Sequence, residues 1–215
     1  MDTTTLLMVI AVTVGSYLIG SLNSAVILSK LVYGDDIRRH GSGNAGMTNM
    51  LRVYGKKAAI YTTIGDFSKV AAAILISRLI FHMMDLTLAV NIGSISGVAV
   101  FLGHAFPIFF GFAGGKGVVT TLGTILCVNP LVFLIIALIF IPMAFITRIV
   151  SLASVLGGTS YPIVTWLVLT LMGREPLYDT IAAAVFSLLI IIMHRENIKR
   201  LLNGTENRFG KPKDS

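Results

Sequence analysis

The sequence predicts an all-α fold, a polytopic membrane helix bundle with seven transmembrane helices, its N-terminus outside and its C-terminus cytoplasmic. Hydrophobic residues make up 55% of the chain, charged residues only 13%, and the mean hydropathy is +0.85, more apolar surface than a soluble core of this size needs. Apolar runs long enough to cross ~30 Å of hydrocarbon as helices recur, without the alternation of barrel strands. The cations are also one-sided. With seven spans, one face collects Arg38, Arg39, Arg52, Lys56, Lys57, Lys116, Arg148, Arg195, Lys199, Arg200, Arg208, Lys211 and Lys213. The opposite face has Arg174, with Arg78 near the end of the second span. Lys and Arg stay on the cytoplasmic side, which sets the orientation.

The first span covers roughly Leu6–Val32 and holds Gly15, Ser16, Gly20 and Ser21, small residues that let a neighbour approach, with Asn23. A polar segment, Gly34 to Lys57, follows. The second span, Ala58–Phe81, carries Asp66 and Lys69 one turn apart on one face, where they can pair. Charge at mid-membrane is costly, so the two form either a structural ion pair or a functional one. The third span, Leu86–Phe106, contains the close-packing stretch Gly93-Ser-Ile-Ser-Gly97 and ends at His104 and Pro107. Gly117–Val128 is short for a crossing, so the glycine-rich loop before it is expected to dip into the membrane. Leu131–Thr147, Ser151–Leu171 and Thr180–Met193 complete the set, with Trp166 in the sixth span and a turn over 173–179. The basic tail from His194 to Ser215 can lay Ile198, Leu201 and Leu202 along the interface. With no internal repeat and no linker, residues 1–215 read as one integral-membrane domain with a cytoplasmic tail over 194–215.

The net charge of +7 is explained by this orientation and implies no nucleic-acid partner. Cys127 is the only cysteine, so the chain forms no internal disulfide. Met-Asp-Thr-Thr-Thr lacks the positive region of a signal peptide, and the first apolar run reads as a retained anchor. His40, His82, His104 and His194 do not show ligand spacing with acidic partners, so no metal site and no cofactor are expected. Asn203-Gly-Thr205 matches a glycosylation sequon but lies on the cytoplasmic side.

Four unusual polar stretches fall on the cytoplasmic face. In Gly41-Ser-Gly-Asn-Ala-Gly-Met-Thr-Asn49, Ser42, Asn44, Thr48 and Asn49 offer neutral hydrogen bonds, and Arg52 can grip a phosphate with two. Its formal match to a dinucleotide fingerprint has no βαβ context and is accidental. In the second stretch, residues 103–120, Gly111, Gly114, Gly115 and Gly117 surround Lys116 just before a helix. Glycines allow close backbone approach and anion-binding concavities, and a helix start adds positive charge. A plain tight turn is the competing reading. It is not a Walker loop, because Gly117 follows Lys116 and Phe110 stands where that loop has glycine. The third, Arg148, Ser151 and Ser154, could share one face of a helix start, or serve as a cap and an anchor. The fourth pairs His194 with Asn197 a turn later.

These stretches resemble the bacterial membrane acyl-phosphate–glycerol-3-phosphate acyltransferases. The resemblance rests on Gly41–Asn49 with Arg52 and Gly55, on Gly103-His-Ala-Phe-Pro107 with Gly114-Gly-Lys-Gly117 and Thr120, and on His194, Asn197-Ile198, Arg200-Leu201, Gly204 and Glu206. It covers nearly the whole chain. Met47, Ala113, Val119 and Asn23 depart from the family pattern, and Ala113 removes one cation from the phosphate cradle. The resemblance implies acyl transfer from a fatty acyl phosphate to the 1-hydroxyl of sn-glycerol 3-phosphate, the first step of phospholipid synthesis. It also implies the bacterial inner membrane and a functional link to the enzyme that makes acyl phosphate. The soluble-type glycerolipid acyltransferases place Asp five residues after His; here those positions are Ala45, Thr87, Phe109 and Lys199.

On this reading Lys116, the amides of Gly114, Gly115 and Gly117, and Ser42 hold one phosphate, the donor's. Arg52, with Ser151 or Ser154 and Asn197, holds glycerol phosphate. The hydroxyl proton goes to His194, to His104 or to the substrate's own phosphate. The alternative is a membrane transporter of anions or phosphate esters, which would place ligand groups near the midplane. There the chain offers mainly Asp66 and Lys69. A lipid phosphotransferase would need more acidic residues for Mg²⁺ than the cytoplasmic motifs hold.

Overall fold

The computed structural model describes residues 2–208, which leaves Lys211 and Lys213 outside the described residues. Among them every regular element is helical, and the chain divides at Val128/Asn129 into two compact units. Four stretches, Thr3–Tyr33, Ile92–Phe110, Pro130–Thr147 and Val150–Leu171, are long and apolar enough to cross a bilayer. A bent pair, Leu177–Met193 and Arg195–Leu202 at 64°, makes a fifth.

The first unit begins with α1 (Thr3–Gly20), whose free amides are capped by Asp2. The predicted first span is broken: Ser21, Leu22 and Asn23 leave the helix, and α2 (Ser24–Tyr33) starts afresh. Asn23 makes the break stable, because its Oδ1 accepts from the Val26 amide at 3.1 Å. The predicted polar loop is partly helical, with a 3-10 turn at Ile37–Arg39 and α3 (Met47–Tyr54). Gly55, at φ +84, turns the chain from α3 into α4 (Lys56–Met83). α4 has 28 residues, about 42 Å at the usual helical rise, and packs against α1, α2, α3, α5 and α6.

α5 (Ile92–Ala105) starts later than predicted because Asn91 caps it, its side chain accepting from Gly93. It crosses α1 at backbone distance, where a Cβ on Gly103 would strike the Tyr17 carbonyl and one on Gly20 the Val100 carbonyl. A 3-10 turn (Ile108–Phe110) leads through the glycine-rich loop into α6 (Val118–Val128), 11 residues long and too short to cross alone.

In the second unit, Asn129 caps and Pro130 opens α7 (Pro130–Thr147), as expected for proline in a first turn. α8 (Val150–Leu171) packs against α7 and against α9 (Leu177–Met193). Gly158 lets the Ile190 side chain approach, and Tyr161 meets Phe186 at 6.1 Å between ring centres. α10 (Arg195–Leu202) turns away from α9 and touches α8.

Candidate active site

In the first unit, the two glycine-rich stretches are bolted together. The Ala45 amide donates to the Gly114 carbonyl at 3.3 Å, and Asn23 Nδ2 donates to the Ala45 carbonyl at 3.3 Å. Asn49, 1% exposed, organises the first stretch from inside. Its Oδ1 accepts from the Ser42 amide at 2.9 Å, and its Nδ2 reaches the carbonyls of His40 at 2.9 Å and Asn44 at 3.0 Å. With donor and acceptor atoms engaged by backbone, Asn49 is a loop holder rather than the open hydrogen-bonding group expected from sequence. Ser42 and Arg52 are exposed, and Asn44 and Thr48 are half-buried.

The glycine loop departs from expectation. The amides of Gly114 and Gly115 do not face a ligand: they donate to the carbonyls of Ala105 and His104, each at 3.1 Å. The last carbonyls of α5 have no partner within the helix, and the loop supplies one. The glycines are needed for room. A Cβ on Gly115 would fall on His104 Nε2 and lie 2.8 Å from the Ala45 carbonyl, and one on Gly114 would fall on the His104 carbonyl. Gly117 adopts φ +78 under the Phe101 ring, and its carbonyl accepts from the hydroxyls of Thr120 and Thr121 at 2.9 and 2.8 Å. Thr120 is thereby buried in the start of α6 rather than offered to a ligand. Lys116 is half-buried at the start of α6, beside first-turn amides that the helix's own ladder leaves unused and that can face an anion.

In the second unit, Arg148 is exposed and caps α7 in a left-handed conformation (φ +59), outside α8, so it does not share a helix face with Ser151 and Ser154. The Ser154 hydroxyl donates back to Val150 at 2.8 Å. The Ser151 hydroxyl, in the first turn of α8, is buried and has no hydrogen-bond partner among the described residues. His194, 2% exposed, joins α9 to α10. Its Nδ1 lies 2.9 Å from the Ile190 carbonyl, which can only accept, so Nδ1 carries the proton and Nε2 is the basic nitrogen of the neutral ring. Asn197 Nδ2 donates to Glu206 at 2.8 Å, and Arg200 grips the same carboxylate at 2.7 Å.

The glycerol-3-phosphate acyltransferase family model matches residues 10–204. The chain belongs to the glycerol-3-phosphate acyltransferase family. Among similar members, the glycerol-3-phosphate acyltransferase of Clostridioides difficile is 40% identical over 205 residues, 95% of this chain and 97% of that protein. That of Macrococcus caseolyticus is 42% identical over 194 residues, 90% and 93% of the two chains. The crystal structure of PlsY, an integral membrane glycerol 3-phosphate acyltransferase in its glycerol 3-phosphate form, is 38% identical with a TM-score of 0.80. It covers 94% of this chain and 96% of its own. The lysophosphatidic acid form gives 36% and 0.77, covering 94% and 95%.

Two groups of this acyltransferase escaped the sequence reading. The first is Arg38, which the charge pattern explains as an orientation signal. Its Nε and Nη2 grip Asp36 at 3.0 and 2.7 Å, while Nη1 donates to the carbonyls of Phe110 and Ala113. Arg38 thus straps the polar segment to the glycine loop, and Ala113 contributes its backbone where its side chain brings no charge. Hydrogen bonds from Arg38 hold the Asp36 carboxyl down to about 2, below its ordinary value near 3.8. A depressed acid stabilises the fold above its unfolded pKa, so the strap persists through neutrality and is lost only as pH falls from about 4 through about 2. Arg38→Lys keeps the charge but loses the fork. It should lower the rate of glycerol 3-phosphate acylation by about 10-fold, measured by initial rates, the scale of one lost charged hydrogen bond. The second group is the partnership of His104 with α4. Lys69 Nζ lies 2.9 Å from Asp66 Oδ1, the pairing that their spacing predicted, and also 3.0 Å from His104 Nδ1. No sequence spacing links residue 104 to residue 69; only the packing of α5 on α4 does.

Proposed function

We propose that this chain transfers a fatty acyl group from a fatty acyl phosphate to the 1-hydroxyl of sn-glycerol 3-phosphate, giving lysophosphatidic acid and inorganic phosphate. The observation that carries it is the likeness, across 94% of the chain, to PlsY in its glycerol 3-phosphate form. The acyl phosphate donor rests on the motif resemblance and on a cation beside a helix start. The enzyme works in the bacterial inner membrane as one seven-span domain, N-terminus outside and polar motifs in the cytoplasm. It depends on another enzyme for acyl phosphate. Family membership weighs against the transporter reading.

The acceptor hydroxyl oxygen bonds to the acyl carbon, the bond from that carbon to the phosphate oxygen breaks, and the hydroxyl proton leaves. Phosphate is a good leaving group, so positioning and charge stabilisation supply most of the acceleration. Lys116, the first-turn amides of α6 and the Ser42 hydroxyl serve the donor phosphate. Arg52, exposed and with its fork of donors, serves glycerol phosphate. We assign the hydroxyl proton to Nε2 of His194, whose tautomer the Ile190 carbonyl fixes. His194→Ala should then lower kcat by ~10²–10⁴-fold; near-normal turnover at saturating substrate would give the proton to the substrate's own phosphate instead. The reaction itself is tested by giving purified protein glycerol 3-phosphate with palmitoyl phosphate, palmitoyl-CoA or palmitoyl-acyl carrier protein in turn. Lysophosphatidate should form with the first alone, with stoichiometric phosphate release and no loss of rate under chelator. Product from the thioesters alone would overturn the donor.

A further inference from the structure

His104 is 3% exposed, and the reaction as described gives it no task. Its surroundings decide its proton. Lys69 Nζ sits 3.0 Å from Nδ1, 2.9 Å from Asp66 Oδ1 and 3.2 Å from the Leu22 carbonyl. An ammonium only donates; it pairs with the Asp66 carboxylate and hydrogen-bonds to the Leu22 carbonyl and to Nδ1. Nδ1 must therefore accept and carries no proton. Asp66 Oδ1 favours the opposite, but at 3.5 Å it lies beyond ordinary N–H···O range, whereas the ammonium is within it. The neutral ring then holds its hydrogen on Nε2.

That nitrogen is directed at the glycine loop. Nε2 occupies the space that a Gly115 side chain would take, one residue from Lys116, and makes no hydrogen bond to another described residue. A ring N–H opening onto this loop can donate to an acceptor held there. The group expected beside Lys116 and the start of α6 is an anionic oxygen.

We infer that His104 is a neutral hydrogen-bond donor, through Nε2–H, to an oxygen of the phosphate group held at the glycine loop, and that Asp66 and Lys69 exist to fix this tautomer. His104 therefore leaves the list of candidate bases. The inference rests on the proposed function for the identity of the anion, but its tautomer does not.

Two measurements test it. In full-length protein carrying ¹⁵N-histidine in lipid nanodiscs, the His104 resonances are identified by their loss in His104→Gln. They should show one protonated nitrogen, Nε2, and one bare nitrogen, Nδ1, unchanged between about pH 6 and pH 8, where an ordinary imidazole changes charge. An imidazolium at neutral pH, or a proton on Nδ1, would overturn the assignment. In turnover, His104→Gln places an amide N–H near the position of Nε2 and should stay within about 10-fold of the parent kcat with the same pH profile. His104→Phe, which keeps the volume and loses the donor, should lose ~10²–10³-fold. Equal losses in Gln and Phe variants of parental thermal stability would remove the donor role. If the parent protein itself uses no acyl phosphate, the proposed reaction fails while the resonance result stands or falls on its own.

Discussion

Gly115→Ala should reduce kcat/KM for acyl transfer by at least ~10²-fold while the chain still inserts and folds. The added methyl would fall on His104 Nε2 and lie 2.8 Å from the Ala45 carbonyl. Neither neighbour can yield cheaply. The imidazole is tethered through Nδ1 to Lys69, and the Ala45 peptide is held by Asn23 on one side and Gly114 on the other. Overpacking of this kind costs ~1–3 kcal/mol of stability, but a displacement of about 1 Å at a reacting group costs about 10²-fold in rate. Gly15→Ala on α1 is the control, since nothing lies within 4 Å of its Cβ position. Initial rates and a detergent melting curve on both variants check the contrast, and a Gly115→Ala enzyme of parental activity would refute the close packing.

Lys69→Met should be the most damaging single change to stability, at about 3–5 kcal/mol, because it leaves the Asp66 carboxylate buried without its cation. The side chains of Lys69 and Asp66 are 6% and 1% exposed, so water cannot substitute for the lost partner. The double change Asp66→Leu/Lys69→Met removes both charges and should recover most of the melting temperature. It should not recover activity, which stays down ~10–100-fold once nothing orients the His104 ring. A pair serving stability alone would give a double variant that is both stable and active.

These variants also mark how far the sequence could be read. Asp66 and Lys69 were legible because three residues of helix put them on one face, a local relation. The membrane class and the short helix at Val118–Val128 were legible for similar reasons of run length and composition. His104 was legible as a candidate residue but its partners were not, because they lie 35 and 38 residues away and meet it through helix packing. The glycine loop was half legible. Glycines next to a lysine suggest anion binding, but whether their amides face a ligand or the end of α5 depends on a fold that spacing does not encode. Asn49 was misassigned for the same reason: a polar side chain near a motif looks alike whether it holds substrate or holds the loop that does.

The central claim is that Lys116 and the start of α6 hold the phosphate of the acyl donor. The most direct measurement is product inhibition by inorganic phosphate, determined for the parent enzyme and for Lys116→Ala. Phosphate should compete with acyl phosphate in the parent, and Lys116→Ala should weaken both the inhibition constant and the donor KM by about 10-fold or more, the scale of one lost charged hydrogen bond, with the glycerol 3-phosphate KM little changed. If phosphate competes instead with glycerol 3-phosphate and only that KM moves, the loop holds the acceptor and the assignment made here is wrong.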